Sequence, residues 1–168
     1  MARLVLVGLP GVGKSTVARA LAARWACDWR DTDDLVEARV GVTVGELLRT
    51  SGEAVLRGVE IEVLRAALAS DAVVATGGGV VSRDEARSLL REEPTIWLDC
   101  ADEVVASRVS GGDRPLLGED PRAALEELRA RREVWYREVS RERVDAANEL
   151  DQVVDAVIEA SGRVAPCG

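Results

Sequence analysis

Gly8-Leu9-Pro10-Gly11-Val12-Gly13-Lys14-Ser15 is the stretch that decides how this chain is read. It matches G-x-x-x-x-G-K-[ST] at every fixed position. Glycines let backbone N–H groups converge on phosphate oxygens, and the amino end of a following helix adds the positive end of its dipole. The lysine of such a loop reaches the β- and γ-phosphates, and the next hydroxyl ligates Mg²⁺. Both flanks agree with this. Ala2–Val7 is a short apolar run that reads as a buried strand, and Lys14 to Trp25 carries Val17, Ala18, Leu21 and Ala22 at helical spacing. Among 22 basic residues Lys14 is the single lysine. A position that stays lysine in an arginine-rich chain needs a compact ammonium rather than a planar fork.

Outward from the loop, apolar strands alternate with helical patterns. Cys27–Asp31, Ala72–Thr76, Thr95–Asp99 and Arg143–Asp145 read as further strands. Helices are predicted over 33–40, 44–50, 52–70, from Ser82 to about Arg91, over 101–110, from Pro121 to about Val139, and over 149–161. Thr43 with Glu46, and Ser82 with Glu85, have the spacing of capping boxes. Asp120 before Pro121 reads as a helix cap, and Asn148 as the cap of the last helix. The alternation predicts an α/β fold, a three-layer sandwich around a five-stranded parallel sheet, with ligands beyond the carboxyl ends of the strands. Residues 1–168 read as one domain, long enough to enclose a core. Residues 111–119, with Gly-Gly and a proline, read as a mobile loop, and the tail 162–168 as frayed.

Composition removes several classes of function. The chain has 30 acidic against 22 basic residues, a net charge of −8, which argues against nucleic-acid and anionic-membrane partners. Histidine is absent, so Ser-His-Asp and Cys-His machinery and His-ligated metals are excluded. Cys27, Cys100 and Cys167 are far apart, which disfavours a disulfide framework or a zinc site and fits a reducing cytoplasm. No apolar run approaches the roughly 20 residues of a membrane span.

Two further clusters stand at strand ends. Asp31-Thr32-Asp33-Asp34 closes the second strand, and residues two apart there can supply one carboxylate for Mg²⁺ and another to accept the proton of an attacking hydroxyl. Gly77-Gly78-Gly79 closes the third, where a backbone that must lie against a ligand tolerates no Cβ.

Together these pieces resemble the shikimate kinase family, small P-loop kinases of aromatic amino-acid biosynthesis, over essentially the whole chain. The D-T-D element stands at Asp31-Thr32-Asp33, and G-E-x-x-F-R-x-x-E at Gly52 to Glu60 with leucine in place of phenylalanine. The triple glycine is Gly77–Gly79, R-P-L-L is Arg114-Pro115-Leu116-Leu117, and Y-R is Tyr136-Arg137. The resemblance implies a single-domain kinase with a lid over 111–119, working as a cytoplasmic monomer on ATP, Mg²⁺ and shikimate.

It also implies residue roles. Gly11, Val12, Gly13, Lys14, Ser15 and Thr16 hold the nucleotide, Ser15 and Asp31 the metal, and Arg108 flanks the adenine. Asp33, Lys14 and Arg114 are the expected catalytic groups, Arg114 moving with the lid to the phosphates. Asp33, Gly78 and Gly79 would contact the acceptor hydroxyls, while Arg57 and Arg137 grip its carboxylate and Glu60 orients Arg57. Leu48 and Leu56 stand where the family places pocket phenylalanines, which leaves a related carboxylated cyclitol or a gluconate-like acid as the alternative acceptor. A reading from another class is a nucleotide-dependent switch, whose ATP consumption would not depend on any acceptor.

Overall fold

The computed structural model describes residues 1–109 and 120–162. The expected lid over 111–119, Arg114 within it, and the tail beyond 162 lie outside the described residues. The chain order is β1 (Leu4–Val7), α1 (Lys14–Trp25), β2 (Asp28–Asp31), α2 (Thr32–Val40), α3 (Val44–Ser51) and α4 (Glu53–Leu68). There follow β3 (Ala72–Ala75), a 3₁₀ turn (Val80–Ser82), α5 (Asp84–Arg91), β4 (Thr95–Asp99), α6 (Asp102–Val109), α7 (Pro121–Val139), β5 (Glu142–Asp145) and α8 (Leu150–Ser161).

The five strands form one parallel sheet in the order β2-β3-β1-β4-β5. β1, β3 and β4 are buried at every residue, as continuous apolar strands with helices on both faces must be. The edge strands β2 and β5 carry most of the charged residues of the sheet and face water in part. Because β1 pairs with β3 on one side and β4 on the other, a crevice opens beyond its carboxyl end, and the glycine loop sits there. In α1 the buried residues are Lys14, Val17, Ala18, Leu21, Ala22 and Trp25, the stripe that seats the helix on the sheet.

A second, smaller apolar cluster lies apart from the main core. Val36, Leu47, Leu56 and Val63 are its buried members, and it joins α2, α3 and α4 to one another. Each such side chain contributes roughly 1.5–3 kcal/mol by leaving water. This group of helices forms one wall of the crevice.

Two of the four expected caps form, and Asp31 supplies a further one. Asp31 accepts from the Asp33 N–H at the start of α2, Thr43 from the Glu46 N–H at the start of α3, and Asp120 from the Ala123 N–H at the start of α7. Two do not. Ser82 donates instead to the carbonyl of Gly79 at 2.8 Å, so α5 starts after Arg83 with no side-chain cap. Asn148 is one residue too early, because Glu149 is the cap residue of α8 and makes no side-chain bond there. The final strand also starts a residue earlier than expected, at Glu142. No helix among the described residues is long and apolar enough to cross a membrane.

Candidate active site

The loop after β1 is held open by its glycines. Gly13, which precedes α1, has φ +108°, a left-handed value that an L side chain rarely adopts. Lys14 is buried, and its ammonium donates to the carbonyls of Gly8 at 2.9 Å and Leu9 at 2.8 Å, so it lies folded against its own loop. Ser15 Oγ donates to Asp31 Oδ2 at 2.5 Å, while Asp31 Oδ1 accepts the Asp33 N–H at 2.9 Å. One carboxylate thus joins the phosphate loop to the acidic turn after β2.

Among the described residues no group of three His, Cys, Asp or Glu side chains could hold a metal alone. The Ser15–Asp31 pair does offer two hard oxygen donors beside the loop. That suits Mg²⁺, which keeps waters and phosphate oxygens in most of its coordination sphere.

The three glycines after β3 are explained one by one. A Cβ on Gly77 would collide with the Asp33 carboxylate, one on Gly78 would fall 2.7 Å from Pro10 Cδ, and one on Gly79 would fall 2.7 Å from Arg57 Nη1. The run is therefore pressed between the acidic turn, the phosphate loop and α4. Its position is fixed by hydrogen bonds. Thr32 Oγ1 accepts the Gly77 N–H at 2.9 Å, and the Gly78 carbonyl accepts from Tyr136 Oη at 2.6 Å and Arg132 Nη1 at 2.9 Å.

Arg57 reaches the site from α4 and is held by Glu60, one turn on, at 2.8 and 2.7 Å to its two carboxylate oxygens. Burial disfavours the Arg57 charge, but the hydrogen bonds and negative charges of Glu60 and Glu53 outweigh it and raise the guanidinium pKa. Its Nε is buried and has no hydrogen-bond partner among the described residues. Arg108 sits between the loop and the segment after β5, donating to Val12 O at 3.2 Å and Ala146 O at 2.9 Å.

A cleft of about 840 Å³ gathers these groups. Gly11, Val12, Gly13, Lys14, Ser15 and Thr16 line it, with Asp31, Asp33, Arg57, Gly78, Gly79 and Arg108. Leu48 and Leu56 form its apolar wall. Arg137 is not in it. That side chain is 68% exposed, pairs with Glu133 at 2.7 Å and lies beside Trp97 and Arg141, away from the glycine run. The arginine of α7 that lines the cleft is Arg132, which sequence reading passed over. Helix phase is the reason: Leu125, Arg132, Tyr136 and Val139 lie at helical spacing on the inward face, and Arg137 is about 100° further round. That spacing was a signal available in the sequence.

The family model for shikimate kinase matches residues 10–161. The chain belongs to the shikimate kinase family. It is 41% identical to the shikimate kinase of Frankia casuarinae over 95% of this chain and 72% of that protein. With the shikimate kinase of Symbiobacterium thermophilum it shares 42% over 93% and 94% of the two chains. The shikimate kinase of Acinetobacter baumannii, solved in complex with shikimate, superposes with a TM-score of 0.85 at 30% identity, covering 93% of this chain and 90% of that one. A gluconokinase from Sinorhizobium meliloti, at 18% identity and a TM-score of 0.57, shares the fold. The shikimate kinase fold of this chain is thus the expected P-loop kinase sandwich.

Proposed function

We infer that this chain transfers the γ-phosphoryl group of ATP to the 3-hydroxyl of shikimate, giving shikimate 3-phosphate and ADP. The observation that carries this reading is the meeting of Arg57 and Arg132, from two different helices, at adjacent residues of the glycine run beside Asp33. In a protein with net charge −8, two converging guanidinium groups at the floor of a cleft suit a small carboxylate.

Phosphoryl transfer asks for positioning and charge neutralisation more than covalent chemistry. Bound Mg²⁺ supplies charge neutralisation on the phosphate oxygens, and Ser15 and Asp31 are the residues that would hold it. Backbone N–H groups of 11–16 orient the phosphates, and Lys14 leaves its loop carbonyls to meet them. Asp33 accepts the proton of the acceptor hydroxyl. Arg114 completes the charge around the transferring group in this reading. In this reading the protein works as a monomer. The unpaired thiols of Cys27 and Cys100 suit a cytoplasmic setting.

ADP release measured against shikimate, quinate, gluconate and nucleoside monophosphates tests the reading. Shikimate should be strongly preferred. Preference for gluconate or quinate would favour the alternative acceptor, and consumption indifferent to all of them would indicate a switch protein.

A further inference from the structure

The middle residue of Asp31-Thr32-Asp33 has no part in the chemistry above, yet it is only 4% exposed. The β2–β3 ladder ends at the pair Asp31–Ala75, because α2 begins at Thr32 and takes the backbone away from the sheet. One more link follows, made by a side chain. Thr32 Oγ1 accepts the N–H of Gly77 at 2.9 Å. At that point Gly77 lies so close to the Asp33 carboxylate that any Cβ would collide with it. Thr76, one residue earlier, is tied to β1 through Leu6 O at 3.0 Å, and Gly78, one residue later, is held from α7 by Tyr136 and Arg132. The Gly77 N–H is thus the tether of the glycine run on the Asp33 side.

We propose that Thr32 is a positioning residue that fixes the separation between the proton-accepting Asp33 and the glycine platform beneath the acceptor. This rests on the kinase reading but goes beyond it. Loss of the hydroxyl strands a buried N–H and lets the run drift from Asp33 while leaving the phosphate loop untouched. Misplacement of reacting groups by about 1 Å can cost on the order of 100-fold in rate.

The test compares Thr32→Val, which keeps shape without the acceptor oxygen, with Thr32→Ser, which keeps the oxygen. Should Thr32→Val not fold, Thr32→Ala takes its place. Thr32→Val should lower kcat/KM for the acceptor by roughly 10- to 100-fold, through both kcat and KM. It should also weaken acceptor binding measured by calorimetry without nucleotide, and leave the Kd of an ATP analogue within about twofold. Thr32→Ser should recover most of the loss. Normal acceptor kinetics in the folded valine variant, equal losses of ATP and acceptor binding, or a serine variant as impaired as valine would overturn the proposal. The contrast is read on whichever acceptor the wild-type chain phosphorylates, so failure of the shikimate reading would be seen separately in the wild type.

Discussion

Arg132 donates to the carbonyl of Gly78 at 2.9 Å, and the same carbonyl accepts from Tyr136, one helical turn further along α7. In the proposed reading Arg132, which lines the cleft, is therefore the arginine of α7 that serves the acceptor. Arg57→Ala and Arg132→Ala should each lower kcat/KM for shikimate by about 30-fold or more, since truncating one partner of a desolvated ion pair costs about 2–5 kcal/mol. ATP affinity should barely move. Arg137→Ala, a change at an exposed side chain paired with Glu133, should stay within about twofold of wild type. Steady-state kinetics of the three variants checks this, and a large loss in Arg137→Ala would reverse the assignment.

Lys14→Arg should nearly abolish turnover in a folded protein. The ammonium fits between the carbonyls of Gly8 and Leu9 inside the loop, and a planar guanidinium is too bulky for that space. Single-turnover phosphoryl transfer, with circular dichroism to confirm folding, is the measurement; near-normal rates would remove the special role of this lysine.

Asp31→Asn and Asp33→Asn should fail differently. Asp31 shares the Ser15 hydroxyl, so its amide variant should need more Mg²⁺ for half-maximal rate. Asp33→Asn should bind ATP normally and lose most transfer at any Mg²⁺ concentration, because an amide cannot accept the hydroxyl proton. Superimposable Mg²⁺ titrations would refute the division of labour.

Tyr136 is the one tyrosine of the chain, so tyrosinate absorbance reports on it alone. Burial pushes its phenol up to about 12 from the ordinary value near 10, with nearby Arg132 pulling the other way. A raised folded-state pKa means the folded state holds the proton more tightly. The associated stability is complete below about pH 10 and is lost as pH rises toward about 12. Titration of the absorbance should therefore show ionisation near pH 12, or earlier only together with unfolding. Ionisation near pH 10 in the folded protein would show that the hydroxyl is not buried at Gly78.

Much of this was legible in the sequence for physical reasons. The loop at Gly8–Ser15, the buried strands and the acidic turn announce themselves because their residue types are dictated by local backbone needs and by burial on both faces. The triple glycine was legible as a close-approach run, but its three partners, Asp33, Pro10 and Arg57, come from distant parts of the chain. The Y-R element of the resemblance points to Arg137, whereas the inward face of α7, with residues three or four apart, carries Arg132 into the cleft. Ser82 and Asn148 misled because a side chain of capping type will take a nearer partner or fall a residue outside the helix, as Ser82 does with Gly79.

The most direct test of the central claim is the identity of the product. Wild-type protein incubated with ATP, Mg²⁺ and shikimate should give, by ³¹P and ¹H NMR, one phosphomonoester coupled to the ring proton at carbon 3 for each ADP formed. Inorganic phosphate as the sole product besides ADP, or a phosphoryl group on another hydroxyl, would contradict the account.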